Sequence, residues 1–308
     1  MEKIELRRAR DYGLIVNDTF AFLKQNWKPL FKSIFTICGF FILTTLAATI
    51  LNQINVFGSV TGGQVSYSRI FGLSYFVTLL FSVISYSMVG LCTFCYIILY
   101  VEKEKEAPTV SEVWSYVKYF FGRYILTQFL MMLITGIVFF VCAFFGAAIG
   151  AFMGIYFVFC VMLTIGSLAI YLFPVMSIMQ GMIVFENATL GYVFDRSFKL
   201  IKSNWWITFG AFAVLFIVIF LMMMVLVVPS AFFANLQLAM GGTGTYMPFI
   251  ILGAVLKQFI QVVACLFYIG TAMAYYSLVE KKEAKSLLDK VDAIGQEVAS
   301  TDLSEEQY

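Results

Sequence analysis

Six long apolar runs constrain what this chain can fold into more than any other feature of its sequence. Each run has about 20 residues or more, the length that an α-helix needs to cross the hydrocarbon core of a bilayer. Of the 308 residues, 61% are hydrophobic and 12% are charged, and a soluble core of this size cannot bury so much apolar surface. The sequence therefore predicts an all-α polytopic membrane bundle and excludes a soluble enzyme, a nucleic-acid binder and a secreted disulfide scaffold. The six runs are Pro29–Leu51, Phe71–Val101, Tyr119–Phe145, Ala147–Val184, Trp206–Val228 and Pro248–Val279.

A single stretch of small residues separates the third run from the fourth. Gly146–Gly154 reads Gly-Ala-Ala-Ile-Gly-Ala-Phe-Met-Gly, and its glycines tolerate the backbone angles of a tight turn. Pro174 lies inside the fourth run, where its missing N–H predicts a kink.

The charged residues gather on one side of the predicted membrane. Of the 20 Lys and Arg residues, 18 lie in segments on the same side as both chain ends, together with all 18 Asp and Glu residues. The exceptions are Arg69, on the opposite side, and Lys257, within the sixth run. Because positively charged segments remain in the cytoplasm, we expect both termini to be cytoplasmic. Met1–Arg10 is charged and lacks the apolar core of a signal peptide.

Parts of the chain repeat one pattern. The segment Gly13–Trp27, before the first span, matches Gly191–Trp205, before the fifth, in its Gly, Thr/Ser-Phe, Lys and Asn-Trp residues. The loops on the far side share a Gly-Gly pair, at Gly62 and Gly241, and a weaker third copy includes Glu112–Lys118. We therefore expect three repeats, each made of an amphipathic helix and two spans.

These repeats define the predicted domains. A six-span membrane domain covers residues 1–280, with repeats at about 11–102, 108–186 and 188–280. An acidic cytoplasmic tail follows at residues 281–308, and it is either a docking helix for a partner or a solvated segment.

The amphipathic pattern is clearest before the fifth span, where apolar and charged side chains fall on opposite arcs of a helix. We expect such a helix to lie in the membrane interface, with tryptophan at headgroup level and cations toward lipid phosphates or solvent. Its role is either to direct the next span or to recruit a partner. The residues predicted at the interface are Lys24, Trp27, Lys118, Arg196, Lys202 and Trp205.

Each even-numbered span ends in a glutamate, at Glu102, Glu186 and Glu280. We expect their carboxylates to pair with cations of the neighbouring amphipathic helices. The three glutamates are then a structural ring at the interface.

The sequence offers little for catalysis. Histidine is absent, which removes the usual general base and a common metal ligand. No nucleophile elbow or phosphate-binding glycine loop is present. Cys92 and Cys95 have CxxC spacing, but they lie within an apolar span, where a desolvated thiol is inert. We expect no enzymatic activity, no metal and no cofactor.

One polar group interrupts the sixth span, at Lys257, Gln258 and Gln261. Either the lysine extends its ammonium to the nearby interface, or the three side chains contact an anion or a lipid headgroup. No Asp or Glu lies inside a span, whereas ion-coupled carriers usually hold one there.

Residues 172–205 resemble a known membrane family. Leu172-Phe-Pro174, Glu186-Asn and Arg196-Ser-Phe-Lys-Leu-Ile-Lys-x-Asn-Trp205 are similar to the six-span membrane domain of some bacterial glycerophosphoryl diester phosphodiesterases and its stand-alone relatives of unknown function. The resemblance implies a bacterial inner-membrane module without chemistry of its own. We expect no counterpart of the catalytic barrel of those enzymes, since fewer than 30 residues follow the sixth span.

The sequence thus favours a non-enzymatic inner-membrane protein, a scaffold or accessory subunit of a membrane complex or of lipid organisation. Its expected partners are membrane lipids and other membrane proteins, and no nucleic acid. The alternative is a permease or lipid-handling protein with a cavity between the repeats, in which Lys257, Gln258 and Gln261 contact an anionic group.

Overall fold

A computed structural model describes residues 3–61, 71–239 and 247–283, and every regular element in these ranges is an α-helix. Arg69, the predicted far-side glycines Gly62 and Gly241, and the tail from residue 284 lie outside the described residues. The helices are α1 (Tyr12–Thr61), α2 (Leu73–Glu102), α3 (Val110–Met153), α4 (Ile155–Phe185), α5 (Leu190–Ile201), α6 (Trp205–Ala239), α7 (Met247–Val263) and α8 (residues 265–283).

Six stretches of helix in the described ranges are long and apolar enough to cross a membrane, as predicted. α7 and α8 together form the sixth, interrupted at Ala264. Consecutive spans pack against each other: α1 with α2, α3 with α4, and α6 with α7. This all-α bundle of helical hairpins is compatible with a multi-pass membrane protein, because helices satisfy their own backbone hydrogen bonds in lipid.

The turn between α3 and α4 consists of Gly154 alone. Its φ of 86° lies in the left-handed region, which glycine adopts at little cost. The other small residues before it remain helical, so the turn falls at the last position of the stretch predicted to hold it. α4 continues through Pro174, and the kink stays a prediction.

Of the three predicted amphipathic segments, one forms a separate helix. α5 ends at Ile201 and a turn leads into α6, whereas the equivalent segments of α1 and α3 continue into their spans. The separate helices predicted before the first and third spans are therefore not observed. The turn contains Ser203 and Asn204, which hydrogen-bond each other at 3.1 Å and compete with the helical backbone. Gln25, a good helix former, occupies the position of Ser203 in α1.

Packing differs between the two ends of the bundle. We call the end that carries Glu102 the charged face and the opposite end the loop face. Near the charged face α2 is buried on every side from Ser87 to Ile97. Toward the loop face three helices are exposed on every side, at Met132–Val141 in α3, Gly166–Tyr171 in α4 and Phe220–Val225 in α6. Most of the packed core therefore lies in the half of the bundle next to the charged face, and buried residues of α1 and α7, such as Thr49 and Ile250, continue it toward the loop face.

Candidate functional site

The ends of three helices surround one cavity at the charged face. Its volume is about 420 Å³, and it lies where the last turns of α2, α4 and α8 approach each other. The three glutamates that end the even-numbered spans all line it. We call it the glutamate cavity. Its charged lining consists of Glu102, Glu186, Glu280, Glu283, Arg7 and Arg196.

Arg196 of α5 connects two sides of the glutamate cavity. Its Nε lies 2.7 Å from Oε1 of Glu186, and its Nη2 lies 2.8 Å from Oε1 of Glu283. The Tyr275 hydroxyl donates a further hydrogen bond of 2.7 Å to the same oxygen of Glu186. Burial lowers the pKa of the Arg196 guanidinium, but the hydrogen bonds to Glu283 and Glu186 outweigh it and hold the pKa above its ordinary value. This charged group is therefore a fixed part of the wall.

The end of α2 is held to the start of α3. The Tyr116 hydroxyl donates to Oε2 of Glu102 at 2.7 Å, and Nζ of Lys103 lies 2.6 Å from Oε1 of Glu112. Glu112 also accepts a hydrogen bond of 2.8 Å from the backbone N–H of Thr109, the reciprocal half of a capping box. The sequence predicted cationic partners for the ring of glutamates, and Glu102 is instead held by a tyrosine.

Aromatic rings form the inner wall of the glutamate cavity. The Phe185 ring stacks on Tyr275 at a centroid distance of 5.0 Å and lies 5.3 Å from Tyr276. Phe94 packs edge-on against Phe185 at 5.4 Å and closes the space behind it. Farther along, the Tyr124 hydroxyl is buried without a hydrogen-bond partner among the described residues.

The segment before α1 folds over α8 because of Arg10, whose side chain is 1% exposed. Its Nε lies 2.7 Å from Oδ2 of Asp18, and its other nitrogens donate to the carbonyls of residues 5, 6 and 8. The backbone N–H of Arg10 donates to Oγ of Ser277 at 2.8 Å, and the Ser277 hydroxyl donates back to the Arg10 carbonyl. These contacts hold the backbone that brings Arg7 to the glutamate cavity.

The structure does not bring Lys257, Gln258 and Gln261 together. The side chain of Lys257 is exposed, whereas the two glutamines are buried. Nε2 of Gln261 donates to Oγ of Ser85 in α2, and Oε1 of Gln258 has no hydrogen-bond partner among the described residues. Helical spacing accounts for Lys257 and Gln258 lying on different sides, because adjacent residues do not share a helix face. Lys257 and Gln261 are four residues apart, and they differ in burial instead.

The residues predicted at the interface have different surroundings. Lys24, Trp27, Lys118 and Lys202 are exposed, and Nζ of Lys118 lies 5.0 Å from the ring centroid of Trp114. Trp205 instead joins α6 to α4: its Nε1 donates to the carbonyl of Tyr171 at 3.1 Å, and the two rings stack at 5.8 Å.

Five cysteines have side chains that the structure describes, and all five are free thiols. Cys38, Cys92, Cys95 and Cys265 are buried, and Cys160 is exposed. Within the described ranges, no group of three or more Cys, Asp or Glu residues is placed to hold a metal ion.

Comparisons with protein-family models, curated proteins and solved structures find no match for this chain. The likeness to the membrane domain of the phosphodiesterases therefore rests on the sequence stretch quoted above.

Proposed function

We propose that this chain is a non-enzymatic protein of the bacterial cytoplasmic membrane that acts as a scaffold or accessory subunit for another membrane protein. The observation that carries the proposal is the all-round exposure of α3 at Met132–Val141, α4 at Gly166–Tyr171 and α6 at Phe220–Val225. Helices in a membrane associate through close packing, and apart from Tyr171, which stacks on Trp205, these segments leave most of their surface exposed within the chain.

The glycines of the bundle fall into two groups that support this interpretation. A Cβ added at Gly90 or Gly181 would meet a neighbouring side chain within 3 Å, so these glycines serve packing inside the bundle. A Cβ added at Gly136 or Gly166, in the exposed segments of α3 and α4, would meet nothing within 4 Å. Small residues let helices approach closely, and these two are free to receive a helix from another chain.

Replacing both Gly136 and Gly166 by leucine should abolish the binding of the partner without unfolding the protein, because the added side chains obstruct only the exposed surface. The measurement is purification in mild detergent with quantitative mass spectrometry of the co-purifying proteins. Gly39→Leu is the matched control. A Cβ at Gly39 would also meet nothing within 4 Å, and Gly39 lies in α1, outside the three exposed segments. A wild-type protein that purifies at native abundance without a partner would contradict the proposal.

We also propose that the charged face is cytoplasmic, which follows from the distribution of Lys and Arg residues. Reporters inserted at Gly62 and at Gly242 should both show a location outside the cytoplasm. The control is a reporter inserted at the exposed Glu104, between α2 and α3, which should show a cytoplasmic location. A cytoplasmic signal from either glycine would overturn this orientation.

The alternative function, a permease or lipid-handling protein, has less support. This alternative requires Lys257, Gln258 and Gln261 to line one transport path. In the structure Lys257 lies on the exposed surface, whereas Gln261 is buried and hydrogen-bonds to Ser85.

A further inference from the structure

We propose that the glutamate cavity binds a small organic cation, an aliphatic amine with two or more ammonium groups. This inference is independent of the scaffold role. It rests on the charge of the cavity, on one unpartnered hydroxyl and on the mixed character of the walls.

The charge of the lining is the first argument. Four glutamates and two arginines give the cavity a formal charge of −2. Arg196 is engaged by Glu186 and Glu283, whereas Glu102 and Glu280 form no ion pair with any described residue. These two carboxylates come from different helices, α2 and α8, and are available to separate ammonium groups.

The second argument is the hydroxyl of Tyr276. This side chain is 8% exposed and lines the cavity, yet its hydroxyl makes no hydrogen bond with any described residue. It interacts electrostatically with Arg7 and Glu102, which places it toward the charged lining. The rest of the side chain is buried, so the hydroxyl opens into the cavity, where an ammonium group of a ligand can donate a hydrogen bond to it.

The third argument is the composition of the walls. Phe185, Tyr275 and Tyr276 offer aromatic rings, whose faces attract ammonium groups. Ile98 and Val279 contribute apolar surface suited to the methylene chain between two charges. A volume of about 420 Å³ lies within the range of sites that hold small molecules. Carboxylates at the ends and apolar walls between them match a flexible aliphatic polyamine.

The test is isothermal titration calorimetry of the full-length protein in detergent with spermidine, a triamine. Glu280→Gln should weaken binding about tenfold because it removes one charged acceptor, and Tyr276→Phe about fivefold because it removes the free hydroxyl. Arg7→Gln should tighten binding about threefold, since it removes a like charge from the lining. The matched control is Glu106→Gln, the same change outside the cavity, and it should leave affinity within about twofold.

Together with the unchanged affinity of Glu106→Gln, the weaker binding of Glu280→Gln and the tighter binding of Arg7→Gln distinguish binding in this cavity from general attraction of spermidine to an acidic surface. Arg7 is exposed and forms no ion pair with described residues, so its variant tests the proposal even if Tyr276→Phe fails to fold. The proposal is overturned if spermidine gives no binding heat, if Mg²⁺ at equal charge competes fully, or if Glu106→Gln weakens binding as much as Glu280→Gln. Binding of a lysine-rich peptide without binding of spermidine would overturn it as well.

Discussion

Replacing Gly90 by leucine should prevent the bundle from folding. A Cβ at this position would lie 2.8 Å from Cζ of Tyr268 and 2.9 Å from Oη of Tyr124. Neither ring can move freely, because each packs edge-on against Phe94, at 5.5 Å and 6.3 Å. Overpacking of this kind costs about 3 kcal/mol or more, and here it falls in the part of α2 that is buried on every side. Fluorescence-detected size-exclusion chromatography after heating should show that the monodisperse species is lost.

The control for this prediction is Gly136→Leu, which makes the same change in α3 where a Cβ meets nothing within 4 Å. Its thermal stability should equal that of the wild-type protein. If Gly90→Leu and Gly136→Leu unfold at the same temperature, the packing described around Gly90 is wrong.

Replacing Arg10 by alanine should release residues 3–11 from the charged face. The substitution leaves the Asp18 carboxylate without its cation and three backbone carbonyls without a donor. Removing one partner of a buried ion pair costs about 3 kcal/mol or more. Hydrogen exchange of the amides in this segment, measured by mass spectrometry, should therefore become about a hundredfold faster.

Arg8→Ala provides the matched control, since the Arg8 side chain is exposed and makes no hydrogen bond with any described residue. Exchange in residues 3–11 should stay slow in this variant. Equal acceleration in both variants would mean that the segment is not held by Arg10 but by the total positive charge of the chain end.

The number of spans and the all-helical fold could be predicted from the sequence because lipid imposes both: a run of about 20 apolar residues has few other stable conformations. The turn at Gly154 was visible as well, since glycine at that place has a backbone freedom that its neighbours lack. The continuity of α1 was not predicted. In α1, Gln25 precedes Asn26, whereas Ser203 precedes Asn204 before α6. Glutamine favours a helix more than serine does, but an alignment of the two segments treats this difference as minor.

The candidate site was visible in part. Three glutamates at the ends of alternate spans gave a reason to group Glu102, Glu186 and Glu280, although sequence spacing does not reveal a cavity between them. Tyr276 gave no signal, because a tyrosine near the end of a span is expected at any membrane interface. Nothing in the sequence singles out Arg10 from the other charged residues near it. Its importance follows from contacts with residues far away in the sequence, such as Ser277.

The difference in packing between the two faces determines which parts of this protein unfold together. A bundle of helical hairpins would be expected to open one hairpin at a time. Here each of α3, α4 and α6 has one portion near the tightly packed end and another that contacts few neighbours. Local opening should thus begin in the exposed portion of each of these three helices, and the boundary between protected and labile amides should cross the helices rather than follow the chain. In a membrane, the thickness and lateral pressure of the surrounding lipid should therefore act first on these exposed portions, while the packed parts of the same helices stay protected.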